Sequence, residues 1–303
     1  MAFTYTILFG IMFADLGQGI CLAIIGWLMW KLKKMAIGKI LIPCGISASV
    51  FGTVFGSVFG FEHILDPLYK AVLGLDEKPI EVMKPSMTSS ILLASAGIGL
   101  VLIIAAMLLN IYSCIKRHDY ENGLFGSNGI AGLVFYSSLV FGLIGQLSGA
   151  FLMTRLYVIP LIILPLVLVY LREPLGRLAA GEEKWQPESW GEYLLQNFFE
   201  LFEMLLSYLS NTMSFLRVGA FVLVHSGMMM AVFTLAGLKS GILYAVIIIV
   251  GNIIVMAMEA LLVAIQVMRL EFYEMFSRYY KGDGRPYTPL NSMSKEKVFS
   301  ERN

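Results

Sequence analysis

Apolar runs of about twenty residues or more follow one another through most of this chain, and they narrow its possible folds more than any other feature. Lys39–Gly60, Thr88–Lys116, Gly123–Leu147 and Leu152–Leu171 are such runs, and two longer ones lie near Tyr193–Leu238 and Gly241–Tyr280. A helix needs ~20 apolar residues to cross a bilayer core of ~30 Å. Hydrocarbon offers no water to backbone amides and carbonyls, so a spanning segment must satisfy them internally. Composition agrees: 58% of residues are hydrophobic, 14% are charged and the mean hydropathy is +0.77. A soluble domain has no place for that much apolar surface. The expected class is an all-α, multi-pass integral membrane protein in a lipid bilayer. The net charge of +1 argues neither for nor against nucleic acid, but dissolution in lipid argues against it as a partner.

The first apolar run, Ala2–Trp30, allows two readings. As a single tilted helix it would be ~43 Å long. Its middle, Ala14-Asp15-Leu16-Gly17-Gln18-Gly19, also fits a tight turn between a truncated first span and a second span ending at Trp30. The turn reading gives about eight transmembrane helices, the first truncated. Met1 sits inside an apolar run with no polar flank or cleavage site, which reads as a chain whose upstream sequence has been removed. Cys21, Cys44 and Cys114 have no paired-ligand spacing and read as small buried hydrophobes.

Loop charge orients the spans, since cytoplasmic loops are enriched in Lys and Arg. One side takes Lys31, Lys33, Lys34, Lys39, Lys116, Arg117, Arg172, Arg177, Lys184 and the cations of the tail; the other has Lys70, Lys78, Lys84, Arg155 and Lys239. The tail is therefore expected to be cytoplasmic. The loop Phe61–Pro85, with Glu62, Asp66, Asp76, Glu77 and Glu81, would face outward. Glu62-His63 without a second histidine reads as solvated loop, not as a metal site. Arg172–Glu192 mixes Trp185 and Trp190 with charges, as interfacial segments do. Gly52, Gly56 and Gly60, four apart, would let another helix approach closely.

The last two runs are far longer than a bilayer requires, ~69 Å and ~60 Å if helical. The first carries Glu203, Ser210, Ser214, Arg217 and His225; the second carries Asn252, Glu259, Gln266, Arg269, Glu271 and Glu274. At 100° per residue Glu203 and Arg217 fall about 40° apart with Ser210 between them, making one polar face. A charge at mid-membrane costs ~2.5–3.5 kcal/mol on insertion scales, so such groups are functional candidates. Arginine cannot escape by losing its proton. Pairing of Arg217 with Glu259, or of Arg269 with Glu203, as structural glue is the competing reading. Orientation then sorts the polar groups into an inner set, Glu203 and Glu274, and an outer set, Asp15, His225 and Glu259, with the arginines between.

Several spaced motifs in this order resemble the membrane domain of the a/I subunit of V-type and A-type rotary ATPases, over nearly the whole chain. Phe9-Gly10-Ile11-Met12-Phe13-Ala14-Asp15-Leu16-Gly17-Gln18-Gly19 resembles the family's first hairpin turn, where Gly-Asp-x-Gly-His-Gly is usual; Ala14 and Gln18 depart from it. Ser214-Phe215-Leu216-Arg217, with His225 eight residues on, resembles its S-x-L-R segment. Met258-Glu259 followed by Arg269-Leu270 resembles its last span, where histidine is usual at the position of Glu271. Tyr280-Lys281-Gly282-Asp283-Gly284, with Tyr287 and Pro289, resembles its terminal signature.

The resemblance implies a stator subunit whose long, tilted final helices pack against a proteolipid c/K rotor ring. Residues 1–192 would be supporting helices, 193–280 the helix pair of the ion path and 281–303 a cytoplasmic tail. Arg217 and Arg269 would face the ring carboxylate. Glu203 and Glu274 would belong to the inner path and Glu259, His225 and Asp15 to the outer one, with Ser210, Ser214 and Gln266 supporting. The cargo would be H+ or Na+, with no cofactor. The peripheral stalk and catalytic head would be reached through a missing N-terminal domain. The Arg172–Glu192 loop lacks a long acidic insertion, which points to a prokaryotic plasma membrane. A self-contained secondary transporter and a purely structural membrane scaffold are the alternatives. No G-x-x-x-x-G-K loop marks the chain as an ATPase by itself.

Overall fold

A computed structural model describes residues 1–61, 64–72, 85–117, 119, 121–147, 154–180, 190–237, 241–280 and 282. Glu62, His63, Asp76, Glu77, Glu81, Trp185 and the terminal signature beyond Tyr280, Gly282 apart, lie outside the described residues, as does nearly all of the tail.

The apolar start is two helices, α1 (Ala2–Phe13) and α2 (Leu16–Lys33). Ala14 takes a positive φ of 27°, and Asp15 caps α2 by accepting from the Gln18 amide at 2.8 Å. An aspartate at that position satisfies an amide that the helix leaves unpaired. The turn reading of Ala2–Trp30 therefore holds. After Lys34, in the left-handed region, α3 (Ala36–Phe55) returns along α2. The two backbones touch: a Cβ on Gly45 would sit 2.5 Å from the Ala23 nitrogen, and one on Gly19 would sit 2.9 Å from the Gly45 carbonyl oxygen.

The expected span Lys39–Gly60 stops early. Gly56 caps α3 at φ 74°, and Gly60, at φ 78°, belongs to the turn that follows. The four-residue glycine repeat thus does not form one helical face. Close approach occurs at two of the three: Gly52 packs against the Asp15–Leu16 backbone and Gly60 against Met229, while Gly56 and Gly60 also supply positive φ.

A short α4 (Asp66–Val72) precedes α5 (Pro85–Lys116). The expected span Gly123–Leu147 is broken into a π-helical turn, Glu121–Phe125, and α6 (Ile130–Leu147). Then come α7 (Arg155–Val158), a π turn Ile159–Ile163, α8 (Leu164–Tyr170) and α9 (Arg172–Ala180). The last two runs are α10 (Trp190–Gly237, 48 residues) and α11 (Ile242–Arg269, 28 residues). A π-helical stretch, Leu270–Phe276, and α12 (Ser277–Tyr279) extend α11.

The protein is an all-α, multi-pass membrane protein. Among the described residues five helical runs are long and apolar enough to cross a membrane, fewer than the eight expected: Ala36–Phe55, Met87–Lys116, Glu121–Gln146, Gly191–Gly237 and Ile242–Tyr279. Shorter apolar runs are Ala2–Phe13 and Arg155–Tyr170, and α2 adds a further 18 residues. At 1.5 Å per residue α10 extends ~72 Å, so it must tilt or leave the bilayer.

The core lies where α1 meets the long pair. Leu8, Phe9, Met12 and Phe13 pack with Phe215 and Val218 of α10 and with Val263, Val267 and Leu270. Large apolar side chains also cover the outside; on α11 Ile249, Ile253, Leu261, Ile265 and Met268 are all exposed. Such exposure suits lipid or another apolar partner rather than water.

Candidate functional site

Two polar clusters form within the bundle. The first joins α1–α2, the turn after α3, α10 and α11. Asp15, wholly buried, accepts through Oδ1 from the Gln18 and Phe59 amides at 2.8 and 3.1 Å. Its Oδ2 accepts from the Ser57 hydroxyl at 2.6 Å and the Gly60 amide at 3.0 Å. The same oxygen lies 3.6 Å from His225 Nε2, and His225 Nδ1 is 2.6 Å from Glu259 Oε2. His225 and Glu259 are also buried, so three titratable groups from three parts of the sequence form one chain away from solvent. Buried groups of this kind need partners, and these are each other's.

Gln18 continues the cluster. Its Nε2 donates to Asn252 Oδ1 at 3.0 Å, and its Oε1 is buried with no hydrogen-bond partner among the described residues. Asn252, Glu259 and Gln266 are seven residues apart, so they form one stripe on α11. Gln266 is half-buried, its Oε1 likewise without a partner among the described residues.

The second cluster joins α10 to the π-helical stretch. The Ser214 hydroxyl donates to Glu274 Oε1 and accepts from Arg217 Nη2 at 3.1 Å. Arg217 is half-buried, and its other terminal nitrogen has no hydrogen-bond partner among the described residues. Its guanidinium lies within electrostatic range of Arg269 and Glu274. Arg269 is exposed at the end of the apolar stripe of α11. The competing ion pairs do not form among the described residues: Glu259 is taken by His225, and Arg217 reaches Glu274 through Ser214.

A π-helix holds one extra residue in a turn. Here it accompanies the burial of both Glu271 and Glu274, with Arg278 following. Glu271 accepts from the Thr4 hydroxyl of α1. Arg278 donates to Asn128 Oδ1 at 2.7 Å and lies 5.1 Å over the Tyr208 ring. Arg278 also lines a cavity of about 510 Å³ with Arg172, Glu200, Glu203, Ser207 and Asn211. Arg172 and Glu200 pair across it at 2.9 Å.

The structure thus brings together Asp15, His225 and Glu259 in one place, and Ser214, Arg217 and Glu274 in another. Glu203 and Ser210 stand apart, exposed along the face of α10 that leads to Arg217. Glu203 lines the cavity and Glu274 does not, so the expected inner set is divided. Gln18 and Glu271 differ from the residues usual at their positions in the family, so the resemblance carries no role to them, and Arg278 is legible in the sequence only as a cation next to the tail. Polar side chains recurring in an apolar run were the available signal. No group of residues suited to a metal ion occurs among the described residues.

Residues 175–292 match the V-type ATPase 116kDa subunit family. A-type ATP synthase subunit I of Aeropyrum pernix is 40% identical over 32% of this chain and 15% of its own length. The subunit I of Saccharolobus solfataricus is 40% identical over 34% of this chain and 16% of its own. That of Methanocaldococcus jannaschii is 25% identical over 95% of this chain and 44% of its own. The chain spans less than half the length of these curated relatives.

Proposed function

The chain is a relative of V/A-type ATPase subunit I, and on that premise we propose that it provides the cation path of a rotary complex. In this reading the chain is not an ATPase by itself. It is the membrane part of the stator, beside a ring of proteolipids whose carboxylates carry H+ or Na+. The catalytic head and peripheral stalk are its other partners. It works in a prokaryotic plasma membrane with the tail in the cytoplasm.

The observation that carries the reading is the separation of two polar clusters along the long pair, Asp15–His225–Glu259 and Ser214–Arg217–Glu274, the second of which holds the Arg217 charge. His225 is eight residues beyond Arg217, about 12 Å along α10. The Asp15–His225–Glu259 chain would form the outer half-channel. Glu203, with the cavity beside it, and Glu274 would serve the inner one. The exposed Arg269 and half-buried Arg217 would meet the ring carboxylate from adjacent helices. An arginine within ~4–6 Å of a carboxylate lowers its pKa by ~1–3 units, which favours cation release. The fixed positive charge also blocks a leak between the half-channels. Ser214 holds the Arg217 guanidinium through a hydrogen bond, so the charge sits on a side chain of defined direction.

The test is ATP-driven cation uptake by the complete complex in liposomes. Arg217→Ala is expected to abolish coupled uptake while the complex still assembles. Normal pumping by that variant would overturn the proposal. Assembly failure in conservative variants such as Glu259→Gln, with normal pumping per assembled complex, would favour the scaffold reading instead.

A further inference from the structure

The hairpin of α2 and α3 joins the polar cluster at its Asp15–Gln18 end, and its opposite end carries its own combination of features. Between Leu16 and Phe61 the sequence has Lys31, Lys33, Lys34 and Lys39 and no aspartate or glutamate. All four lysines are exposed, and they gather at one end because α2 stops and α3 starts there. Lys31 Nζ lies 4.7 Å from the Trp27 ring centroid, and Lys39 Nζ lies 5.9 Å from that of Trp30. Tryptophan rings beside cations at a helix end are typical of the headgroup level of a membrane.

From that end a groove of about 470 Å³ runs between the two helices. Ile20, Ile24 and Trp27 form one wall and Ile46, Val50 and Thr53 the other, with Ala23 and Ser49 also lining it. Leu16 to Trp27 covers ~17 Å of helix, close to the ~15 Å half-thickness of a bilayer core. The groove is therefore about as long as one lipid tail. Helices whose backbones touch leave a furrow suited to a hydrocarbon chain rather than to another helix ~10 Å wide.

We propose that this hairpin binds one anionic phospholipid, its hydrocarbon tail in the groove and its phosphate at Lys31 and Lys39. The lysines lack acidic neighbours within the hairpin, so an anionic headgroup complements their charge. Basic sites between membrane helices hold anionic headgroups in this way, each cation near the surface contributing about 1 kcal/mol. The tail alone would bind any lipid; the lysines confer the preference.

Native mass spectrometry of the purified full chain, given equal amounts of phosphatidylglycerol and phosphatidylcholine, tests this. The wild type should retain one phosphatidylglycerol in preference. Lys31→Gln and Lys39→Gln should each weaken that preference about five-fold, the equivalent of about 1 kcal/mol. Val50→Trp, at an exposed position, should fill the groove and reduce retention of both lipids without disturbing the helix contact. Equal retention of the two lipids by the wild type overturns the proposal. So does an unchanged preference in the double lysine variant, unchanged retention in Val50→Trp, or a polypeptide found in place of lipid.

Discussion

Asp15 has two duties: it caps a helix, and it ends a chain of titratable groups that crosses the bundle. It accepts four hydrogen bonds, from Gln18, Ser57, Phe59 and Gly60, and faces His225. Truncation would leave the buried Gln18 amide and three part-buried donors without this acceptor, at about 1–3 kcal/mol for each that water does not reach. Removing one member of a buried charge network costs about 3–5 kcal/mol. Asp15→Ala is therefore expected to destabilise the protein by that amount, measured as thermal unfolding of the purified chain in detergent. Ser57→Ala, which removes one donor, should cost about 1 kcal/mol in the same assay. The rarity of charges in apolar runs made Asp15, His225 and Glu259 legible in the sequence. Their arrangement was not, because Glu259 and His225 are 34 residues apart and Gln18 and Asn252 are 234 apart. Periodicity within one helix carries no information about such pairings. Gln18 shows the limit most clearly: it departs from what usually stands there, yet it is buried and bonded to Asn252 of α11.

At the scale of elements, the extent of the long helices was legible and their interruptions were not. Residue type does not distinguish a π turn from an α turn, so Leu270–Phe276, with Glu271 and Glu274, is legible as a polar break in an apolar run but not as a change of helix. Deleting exposed Tyr273 would return this stretch to α-helical register and move Arg278 relative to Glu271. The expected outcome is unchanged helical content by circular dichroism with coupled pumping reduced about a hundredfold, the scale seen when a working group shifts by about 1 Å. The glycine repeat of α3 shows a different limit. Residue spacing was read as one packing face, but positive φ at Gly56 and Gly60 ends the helix before the face is complete. Gly52 and Gly60 therefore meet different neighbours, Leu16 and Met229, and the α2–α3 contact is completed by Gly19 and Gly45. Gly45→Val should splay α2 from α3 and cost about 1–3 kcal/mol, the usual range for overpacking, in the same unfolding measurement.

For the molecule as a whole, loop charge predicts that the α2–α3 turn and the C-terminal tail share one side of the membrane, with the segment around Lys70 on the other. In a variant lacking Cys21, Cys44 and Cys114, single cysteines at Lys33 and Ser300 should react with an impermeant maleimide from the same side. A cysteine at Lys70 should react only from the opposite one. The multi-pass class followed from the sequence, but five described helices are long and apolar enough to cross a membrane where about eight spans were expected, since Ala2–Phe13 and Arg155–Tyr170 are shorter than the ~20 residues a span needs. Helix packing did not follow, because hydropathy does not distinguish a face that meets lipid from one that meets another helix. The exposed side of α11 shows what that ambiguity conceals. Ile249, Ile253, Leu261, Ile265 and Met268 offer a neighbour no donor and no acceptor until Arg269 is reached. Dispersion contacts of ~0.1–0.2 kcal/mol per atom pair are re-formed almost as soon as they are lost. Anything that slides along this face therefore meets low friction, with a single charged detent at its end.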